Sequence, residues 1–278
     1  MTKTLYDPEF VAAYFDDFGE REWDRLTKTP ADEIKLHVHE HYLKKYIECG
    51  QLVLDIGAGA GRFTKTLANL GAEIVVADIS TEQLKLNQRF AAEFHFANAV
   101  KSWLQLDICN MSSLPDESFA AVICFGGPLG YVFERRSEAL SEVLRVLKPG
   151  GKGFFSVSSL WGSIHELLPS VLTIDAQKNS DIVRTGDLYF GRSEGLRHQC
   201  HLFRASELKS FLEDSGVAIL DLSASNCVSA VWGEKLKDIR ANVELWNELL
   251  QFEVEAAREP GCLDSGTHII AVVQKPLL

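Results

Sequence analysis

The sequence predicts an α/β fold with a mostly parallel, doubly wound sheet that is covered by helices on both faces. From residue 52 onward, short apolar strand patterns alternate with amphipathic helix patterns, and this alternation is typical of parallel sheets. A glycine-rich turn at residues 57–61 joins the first strand directly to the helix that follows it. With 278 residues, of which 46% are hydrophobic, the chain is long enough to build one such domain around a large core.

Each predicted element is bounded by turn or capping residues. The predicted strands cover residues 52–56, 73–77, 100–106, 119–125, 152–158, 217–222 and 267–273, and the predicted helices cover 60–70, 81–94, 135–147, 205–215 and 234–258. Helices are also expected within residues 8–48. Between residues 160 and 201 the alternation stops, and only a short helix at 161–168 and a small hairpin between 187–190 and 195–199 are expected there.

We expect one domain over the whole chain, because no low-complexity linker or internal repeat interrupts the pattern. The irregular stretches are interpreted as a cap and a lid on that domain. The predicted parts are a helical cap (1–49), a cofactor-binding core (50–158), a lid insert (159–201), and remaining core (202–278) with a helical insert (225–262).

Composition excludes several classes of protein. A net charge of -11 and the absence of basic runs argue against a nucleic-acid partner, because binding phosphates requires a basic face. The six cysteines form no C-x-x-C pair, which is typical of a reducing cytosol and argues against a zinc site. The acidic N-terminus does not resemble a secretory signal, and no apolar run is long enough to span a membrane. We therefore expect a cytoplasmic protein.

The turn after the first strand reads Asp55-Ile56-Gly57-Ala58-Gly59-Ala60-Gly61. Its glycines allow a tight turn and a close approach of a ligand to the main chain. The spacing G-x-G-x-G differs from the G-x-G-x-x-G of dinucleotide-binding turns. A carboxylate directly before the turn would repel a pyrophosphate, so this segment favours a ligand that carries a positive charge.

No metal site is predicted from the histidines. His198 and His201 lie on opposite faces of a strand if the hairpin forms, because alternate residues share a face. His37 and His41 are one helical turn apart but lack a glutamate beside the first histidine, so a metalloprotease is excluded. We interpret these two and His39 as helix-face residues, one of which could line a pocket.

Four segments, in this order and at these spacings, resemble class I S-adenosylmethionine-dependent methyltransferases of the small-molecule type. They are the glycine-rich segment at 53–61, the acidic strand ends at 76–80 and 106–108, and the helix-to-strand turn at 145–151. The resemblance implies a seven-stranded sheet whose last strand is antiparallel. It also implies that the N-terminal helices and the insert after Ser158 form the substrate pocket, and that S-adenosylmethionine is the cofactor and S-adenosylhomocysteine its product.

The resemblance further implies which residues contact the cofactor. They are Asp55, Gly57, Ala58, Gly59, Gly61, Asp78, Ile79, Asp107, Ile108, Phe125 and Gly126. Asp55 would hold the ammonium of the amino-acid tail, Asp78 the ribose hydroxyls and Asp107 the adenine amine. Ile79 and Ile108 would pack beside the adenine. The alternative for each aspartate is a plain helix cap or turn residue.

Two residues are predicted to act on the acceptor. Tyr131, in the glycine- and proline-rich turn after the fourth strand, would orient it, unless Pro128 and Gly130 only shape a turn and Tyr131 packs in the core. His165, just past the fifth strand, would be the general base if the acceptor must lose a proton. Tyr14 and Trp23 would be pocket walls or core residues.

These features predict a methyltransferase that acts on a small-molecule acceptor by in-line displacement. The acceptor pocket is expected to be apolar or aromatic, with Trp161, Leu167, Leu168, Leu172, Trp232 and Trp246 as the hypothesised lining. Two alternatives stay open. One is a nicotinamide-dependent oxidoreductase on a similar sheet, and the other is a non-catalytic cofactor-binding protein.

Overall fold

A computed structural model describes residues 4–191 and 194–277 of the chain. Its main sheet contains seven strands: β1 (Leu52–Ile56), β2 (Glu73–Asp78), β3 (Val100–Gln105), β4 (Phe119–Cys124), β5 (Leu147–Ser158), β8 (Ala218–Ala224) and β9 (His268–Gln274). Their order across the sheet is β3-β2-β1-β4-β5-β9-β8. Strand β9 runs antiparallel to its neighbours, β5 and β8, and the other pairs of neighbours are parallel. The predicted fold class is confirmed.

Helices cover both faces of this sheet. They are α1 (Pro8–Phe18), α2 (Arg21–Asp24), α3 (Pro30–Tyr46), α4 (Arg62–Asn69), α5 (Thr81–Glu93), α6 (Pro128–Tyr131), α7 (Arg136–Val146), α8 (Leu160–Glu166), α9 (Leu168–Val171), α10 (Ala176–Thr185), α11 (Ala205–Asp214), α12 (Lys235–Ala241) and α13 (Val243–Ala256). None of the helices within the described ranges is both long and apolar enough to cross a bilayer.

The core has two layers, one on each face of the sheet. Consecutive residues of β1 belong to different layers, since Val53 packs with α3 and α4 while Leu54 packs with α7 and α11. Successive strand residues point to opposite faces, so a sheet covered on both sides needs apolar residues at every position. This double burial explains why the central strands are continuous apolar runs.

The N-terminal helices α1 and α2 lie against α4 and α5. The Gln83 amide donates to the carbonyls of Phe15 and Gly19 at 2.9 and 3.0 Å, and the Ser80 hydroxyl donates to Asp16 at 2.5 Å. Arg62 of α4 donates to the Trp23 carbonyl and stacks over the Trp23 ring. These bonds fix the N-terminal segment across the end of the sheet where β1 and β2 finish.

The insert after β5 differs from its prediction. A two-residue ladder forms between β6 (Asp187–Leu188) and β7 (Cys200–His201), so the predicted partner segment 195–199 is wrong. Asp187 pairs with His201 in this ladder, and the His201 ring bonds Asp187 at 2.7 Å and Glu207 at 2.8 Å. Residues 192 and 193 of the predicted hairpin lie outside the described residues.

Two helical segments also differ from expectation. Helix α10 was not predicted, and it begins where the Asp175 side chain accepts a bond from the Lys178 backbone N–H. The single helix predicted at 234–258 is divided into α12 and α13 at Asn242. Asn242 adopts an extended backbone and its side chain caps α13, which stops α12.

Candidate active site

One cavity, called the first cavity below, lies at the carboxyl ends of β1, β2 and β4, and the space between its walls is about 610 Å³ including the part open to solvent. Ligands of open α/β sheets bind at this edge. Nine of the residues predicted for the cofactor or the acceptor line it: Gly57, Gly59, Asp78, Ile79, Asp107, Ile108, Phe125, Gly126 and Tyr131. Tyr6, Val11, Phe15 and Glu22 of the N-terminal segment close it from the other side.

The glycine-rich turn forms the floor of the first cavity. Gly57 has a φ of +68°, and a side chain there would collide with Pro128 of α6. Gly59 donates its backbone N–H to Asp78 at 2.8 Å. The turn therefore needs glycine at residue 57 for both its backbone angle and its packing, and it is bonded to the end of β2.

Asp78 ends β2 with its carboxylate in the wall of the cavity. One oxygen accepts the N–H of Gly59 and the other that of Ser80, each at 2.8 Å. Burial raises the pKa of Asp78 to about 6, and these two bonds oppose that rise because they favour the charged form. Asp78 is thus held as a carboxylate near neutral pH, with its position set by backbone donors.

Asp107 lies at the far end of the same cavity. It accepts the backbone N–H of Cys109 at 2.8 Å. The hydroxyl of Tyr6 is near it, and burial together with the Asp107 charge raises the pKa of Tyr6. Tyr6 was missed by the sequence analysis, although Asp7 and Pro8 at the start of α1 are a helix-start signal that places Tyr6 directly before a helix.

The structure does not bring Asp55 into the first cavity. Its side chain is only 2% exposed and accepts the Thr64 hydroxyl at 2.7 Å, beneath the first turn of α4. Thr64 in turn accepts a bond from Asn87 at 3.1 Å. Burial raises the pKa of Asp55 to about 7, with Thr64 opposing the rise. The expected contact with a cofactor ammonium has no support in this position.

Ala58 and Gly61 are also placed away from the first cavity. Ala58 lines a smaller pocket of about 280 Å³ beside it, together with Glu22 and Arg25. Gly61 begins α4 with a φ of +99°, and a side chain there would meet the Asn87 amide at 2.8 Å. Gly61 therefore serves the packing of α4 against α5.

A second cavity adjoins the first and shares Phe15, Glu22, Gly126 and Tyr131 with it. Its other lining residues are Tyr14, Phe18, Arg25, Leu26, Asp32, Lys35, Ser158, Ser163, Leu167, His198, Thr267 and His268. Three aromatic rings of α1 form one wall. The four shared residues therefore mark the place where the two cavities adjoin.

Tyr131 stands at this junction and is bonded to a histidine of the insert. Its hydroxyl is 2.9 Å from Nε2 of His198. Burial raises the pKa of Tyr131 well above its usual value, and burial together with the Arg25 charge lowers the pKa of His198 to about 4. Both groups are therefore neutral at pH 7, and the bond holds the tyrosine in place.

Two more neutral histidines lie near the second cavity. His39 is buried, and its ring bonds the Lys35 carbonyl at 2.7 Å and the Ser156 hydroxyl at 3.0 Å. Burial lowers the pKa of His39 to about 4 and also lowers that of His268. His268 opens β9 and was not singled out from the sequence, since a single histidine at a strand start carries no signal.

His165 lies on the exposed side of α8 and lines neither cavity among the described residues.

Only Leu167 of the hypothesised apolar lining reaches the second cavity. Trp161, Leu168, Leu172 and Trp232 are exposed, while Trp246 is buried beside α3. Tyr14 lines the second cavity, and Trp23 stacks on Phe90 with ring centroids 4.3 Å apart. No cluster within the described residues has the ligands for a metal ion.

Comparison of the sequence with known proteins identifies a protein family that it matches. Residues 53–151 match the model of a methyltransferase domain family. A demethylmenaquinone methyltransferase of Paenarthrobacter aurescens is 30% identical over 210 residues, which are 68% of this chain and 72% of that protein.

Two solved structures share the fold. A SAM-dependent methyltransferase of Methanosarcina mazei has a TM-score of 0.59 and 19% identity, covering 85% of this chain and 98% of that one. The [4+2]-cyclase SpnF has a TM-score of 0.55 and 18% identity, covering 87% of this chain and 81% of that one. Because the second of these proteins is named as a cyclase, the fold alone does not define the reaction.

Proposed function

Because the chain belongs to the class I S-adenosylmethionine-dependent methyltransferases, we propose that its first cavity binds S-adenosylmethionine and its second a small-molecule acceptor. The observation that carries this proposal is the junction of the two cavities at Gly126 and Tyr131. A methyl donor and an acceptor must meet at one point, and four of the described residues line both the first cavity and the second, aromatic one.

The first cavity fits the donor residue by residue. Asp78, a buried carboxylate at a strand end, suits a pair of ribose hydroxyls, and Asp107 suits an amine donor on a purine. Ile79 and Ile108 supply apolar surface between these two acids. Gly57 and Gly59 contribute main chain, with no side chain, to the wall of the cavity.

Methyl transfer requires alignment more than acid–base chemistry. S-adenosylmethionine supplies, when bound, a methyl group that is made electrophilic by a sulfonium. The chain contributes aromatic walls, namely Phe15, Phe125 and Tyr131, against which the two reactants can be aligned. Holding two reactants in line is worth up to roughly 7–11 kcal/mol in intramolecular model reactions. In-line displacement is the reaction that this arrangement favours.

Tyr131 is proposed to orient the acceptor, and His198 to hold Tyr131. A neutral His198 can also accept a proton, but its low pKa limits it to acceptors that lose a proton readily. His165 remains the weaker proposal for a base, because its ring is exposed and lines neither cavity among the described residues.

The acceptor is proposed to contain a planar ring. Tyr14, Phe15 and Phe18 present aromatic rings to the second cavity, and ring faces and edges pack well together. The relative from Paenarthrobacter is named for demethylmenaquinone, which supports a quinone-like acceptor here.

Thermal unfolding with S-adenosylhomocysteine and, separately, with NAD tests the donor. A ligand that binds only the folded protein raises the melting temperature, so S-adenosylhomocysteine should stabilise and NAD should not. Stabilisation by NAD alone would favour the oxidoreductase alternative. Transfer of a labelled methyl group into metabolite fractions then identifies the acceptor. A donor that binds without any transfer would favour the non-catalytic alternative.

A further inference from the structure

The first residue of β9 lies near the place where the two cavities adjoin. Because β9 runs antiparallel to β5, its first residue, His268, pairs with the last residue of β5, Ser158, and both line the second cavity. A Cβ added to Gly127 would be 4.0 Å from the Oγ of Ser158, and the preceding Gly126 lines both cavities. The reversed strand therefore brings a histidine to the edge of the sheet at which the parallel strands end.

The ring of His268 has a nitrogen without a hydrogen-bond partner. Nδ1 is 3.3 Å from the hydroxyl of the neighbouring Thr267, and none of the described residues bonds Nε2. Within the described ranges, the polar side-chain atoms that are both enclosed and unpaired are Tyr42 Oη, Gln83 Oε1 and Asn226 Nδ2. Since Nε2 is unpaired and does not belong to this group, it is open to free space, and the second cavity provides that space.

Other buried histidines show that an open ring nitrogen needs an explanation. His39 and His201 each use both ring nitrogens in hydrogen bonds. His198 also lines the second cavity, but the Tyr131 hydroxyl engages its Nε2 at 2.9 Å. Polar atoms in protein interiors are normally paired, because leaving them unpaired costs free energy. The open Nε2 of His268 is therefore better explained by a ligand group that it bonds than by the stability of the fold.

The surroundings of His268 keep its ring neutral. Burial lowers the pKa of His268 well below its usual value, and nearby cations and histidine rings lower it further. These neighbours are Arg25, His39, Lys35 and His198. With the single ring proton on Nδ1, where the Thr267 hydroxyl can accept it, Nε2 has a lone pair for a proton or a hydrogen bond.

We propose that His268 is a catalytic residue, which accepts the proton of an aromatic hydroxyl on the acceptor as that hydroxyl oxygen is methylated. The inference rests on the proposed function and names the reacting group and its base. The second cavity combines the aromatic wall of α1 with the hydroxyl-bearing side chains of Ser158, Ser163 and Thr267. This combination matches a planar ring that carries a hydroxyl.

The proposed step balances in atoms and electrons. A lone pair of the acceptor oxygen forms the bond to the methyl carbon, and the carbon–sulfur bond of the donor breaks with its electron pair left on sulfur. The hydroxyl proton passes to Nε2, so the positive charge moves from sulfur to the ring of His268. A hydroxyl becomes strongly acidic as its oxygen gains a carbon substituent, so a base of low pKa is sufficient and then releases the proton to water.

Two substitutions of His268 separate binding from proton transfer. His268→Gln retains a hydrogen-bond acceptor but cannot take a proton, whereas His268→Phe retains a ring and loses both abilities. Labelled-methyl transfer is measured with phenol, catechol and 2-naphthol, and kinetics use the probe that the wild type methylates fastest. For His268→Gln, kcat should fall about 100-fold or more while KM changes less than about threefold. For His268→Phe, KM should also rise about tenfold, because the hydroxyl loses its partner.

Binding of S-adenosylhomocysteine and a second histidine are the controls. Among the described residues, His268 lines the second cavity and not the first, so both variants should bind S-adenosylhomocysteine within about twofold of the wild type in calorimetry. His95→Gln, at an exposed residue outside both cavities, should change neither kcat nor KM. Circular dichroism checks each fold, and His268→Gln provides an independent reading if His268→Phe does not fold.

Other outcomes overturn the assignment of His268. A wild-type kcat in folded His268→Gln would show that the proton goes elsewhere. If the wild type bound S-adenosylhomocysteine but methylated none of the three probes, or methylated a ring carbon, the aromatic hydroxyl would be refuted while the proposed donor site stood. If the wild type did not bind S-adenosylhomocysteine, the proposed function would fall together with this inference.

Discussion

The two cavities differ in how far apart their residues lie in the chain. The first takes most of its lining from strand ends and the turns after them, between residues 56 and 132. The second collects side chains from α1, α2, α3, the end of β5, the insert and the start of β9. Parallel strands place all their carboxyl ends at one edge, so the first cavity follows from chain order. The second depends on how distant segments pack.

This difference separates the two halves of the proposed reaction. The donor side consists of backbone turns and carboxylates that are bonded to one another, such as Gly59 with Asp78. The acceptor side combines aromatic side chains of α1, charged side chains between residues 22 and 35, and histidines of the insert and of β9. Substitutions on the donor side should change binding of any nucleoside ligand, while those on the acceptor side should leave it intact.

The largest expected effect is on the donor side, at Asp78. Asp78→Ala should weaken S-adenosylhomocysteine binding about 100-fold, because it removes the two proposed charge-assisted hydrogen bonds to the ribose hydroxyls, which are worth roughly 1.5 kcal/mol each. Calorimetry of the purified variant measures this loss. Asp116→Ala, at a side chain that is 72% exposed, is the control and should bind normally. An Asp78 variant with wild-type affinity would contradict the proposal that the first cavity binds the methyl donor.

Gly57→Ala tests whether the close packing of the glycine-rich turn matters. A methyl group there collides with Pro128, so the free energy of unfolding should fall by about 1–3 kcal/mol more than in Gly50→Ala. Gly50 has a similar φ of +80° with nothing within 4 Å, so the control carries the backbone strain without the collision. Urea unfolding compares the two variants, and equal losses would rule out the packing explanation.

His201 tests the insert that supports the acceptor side. Burial alone would lower its pKa, but the bonds to Asp187 and Glu207 outweigh burial and raise it. A raised pKa in the folded state stabilises the protein below the unfolded value of about 6.5, and this stabilisation is lost as the pH rises through the folded value. Glu207, whose pKa His201 lowers against burial, loses its contribution at acid pH instead.

The measurement is urea unfolding of wild type and His201→Gln at pH 5.5 and pH 8.5. The wild type should lose about 1–2 kcal/mol between the two values relative to the variant, in the range of hydrogen bonds to charged groups. His95→Gln, outside this cluster, should follow the wild type. Parallel pH profiles for wild type and His201→Gln would contradict a charged His201.

The smallest expected effect is at His165. Because its ring is exposed and lines neither cavity among the described residues, His165→Ala should change methyl-transfer turnover less than about twofold, whereas a true general base contributes at least about 100-fold. Turnover is measured with the acceptor that the labelled-methyl screen identifies. A large loss of turnover would indicate that His165 takes part in the reaction and that the acceptor binds near α8.

Prediction from sequence succeeded where local chemistry is decisive. The strands were predicted correctly, and Asp78 and Asp107 line the cavity at the strand ends, because hydrophobic periodicity and strand-end position are local properties. Asp55 lies on the predicted strand, but the sequence does not indicate that its side chain turns toward Thr64 on α4. The partner segment of the hairpin was wrong, since Asp187–Leu188 pairs with Cys200–His201, where the His201 ring bonds Asp187.

The fold class and the cavity at the carboxyl ends of the strands follow from the sequence alone, since both arise from hydrophobic periodicity, glycine backbone angles and the order of parallel strands. The packing of the chain sets which charged groups face the proposed donor site and what surrounds the proposed acceptor site. Glu22, Arg25, His198 and His268 come from segments that lie far apart in the chain, and their meeting depends on packing against the sheet. Contacts between segments that lie far apart in the chain produce no local sequence pattern, so the spacing of residues does not predict them.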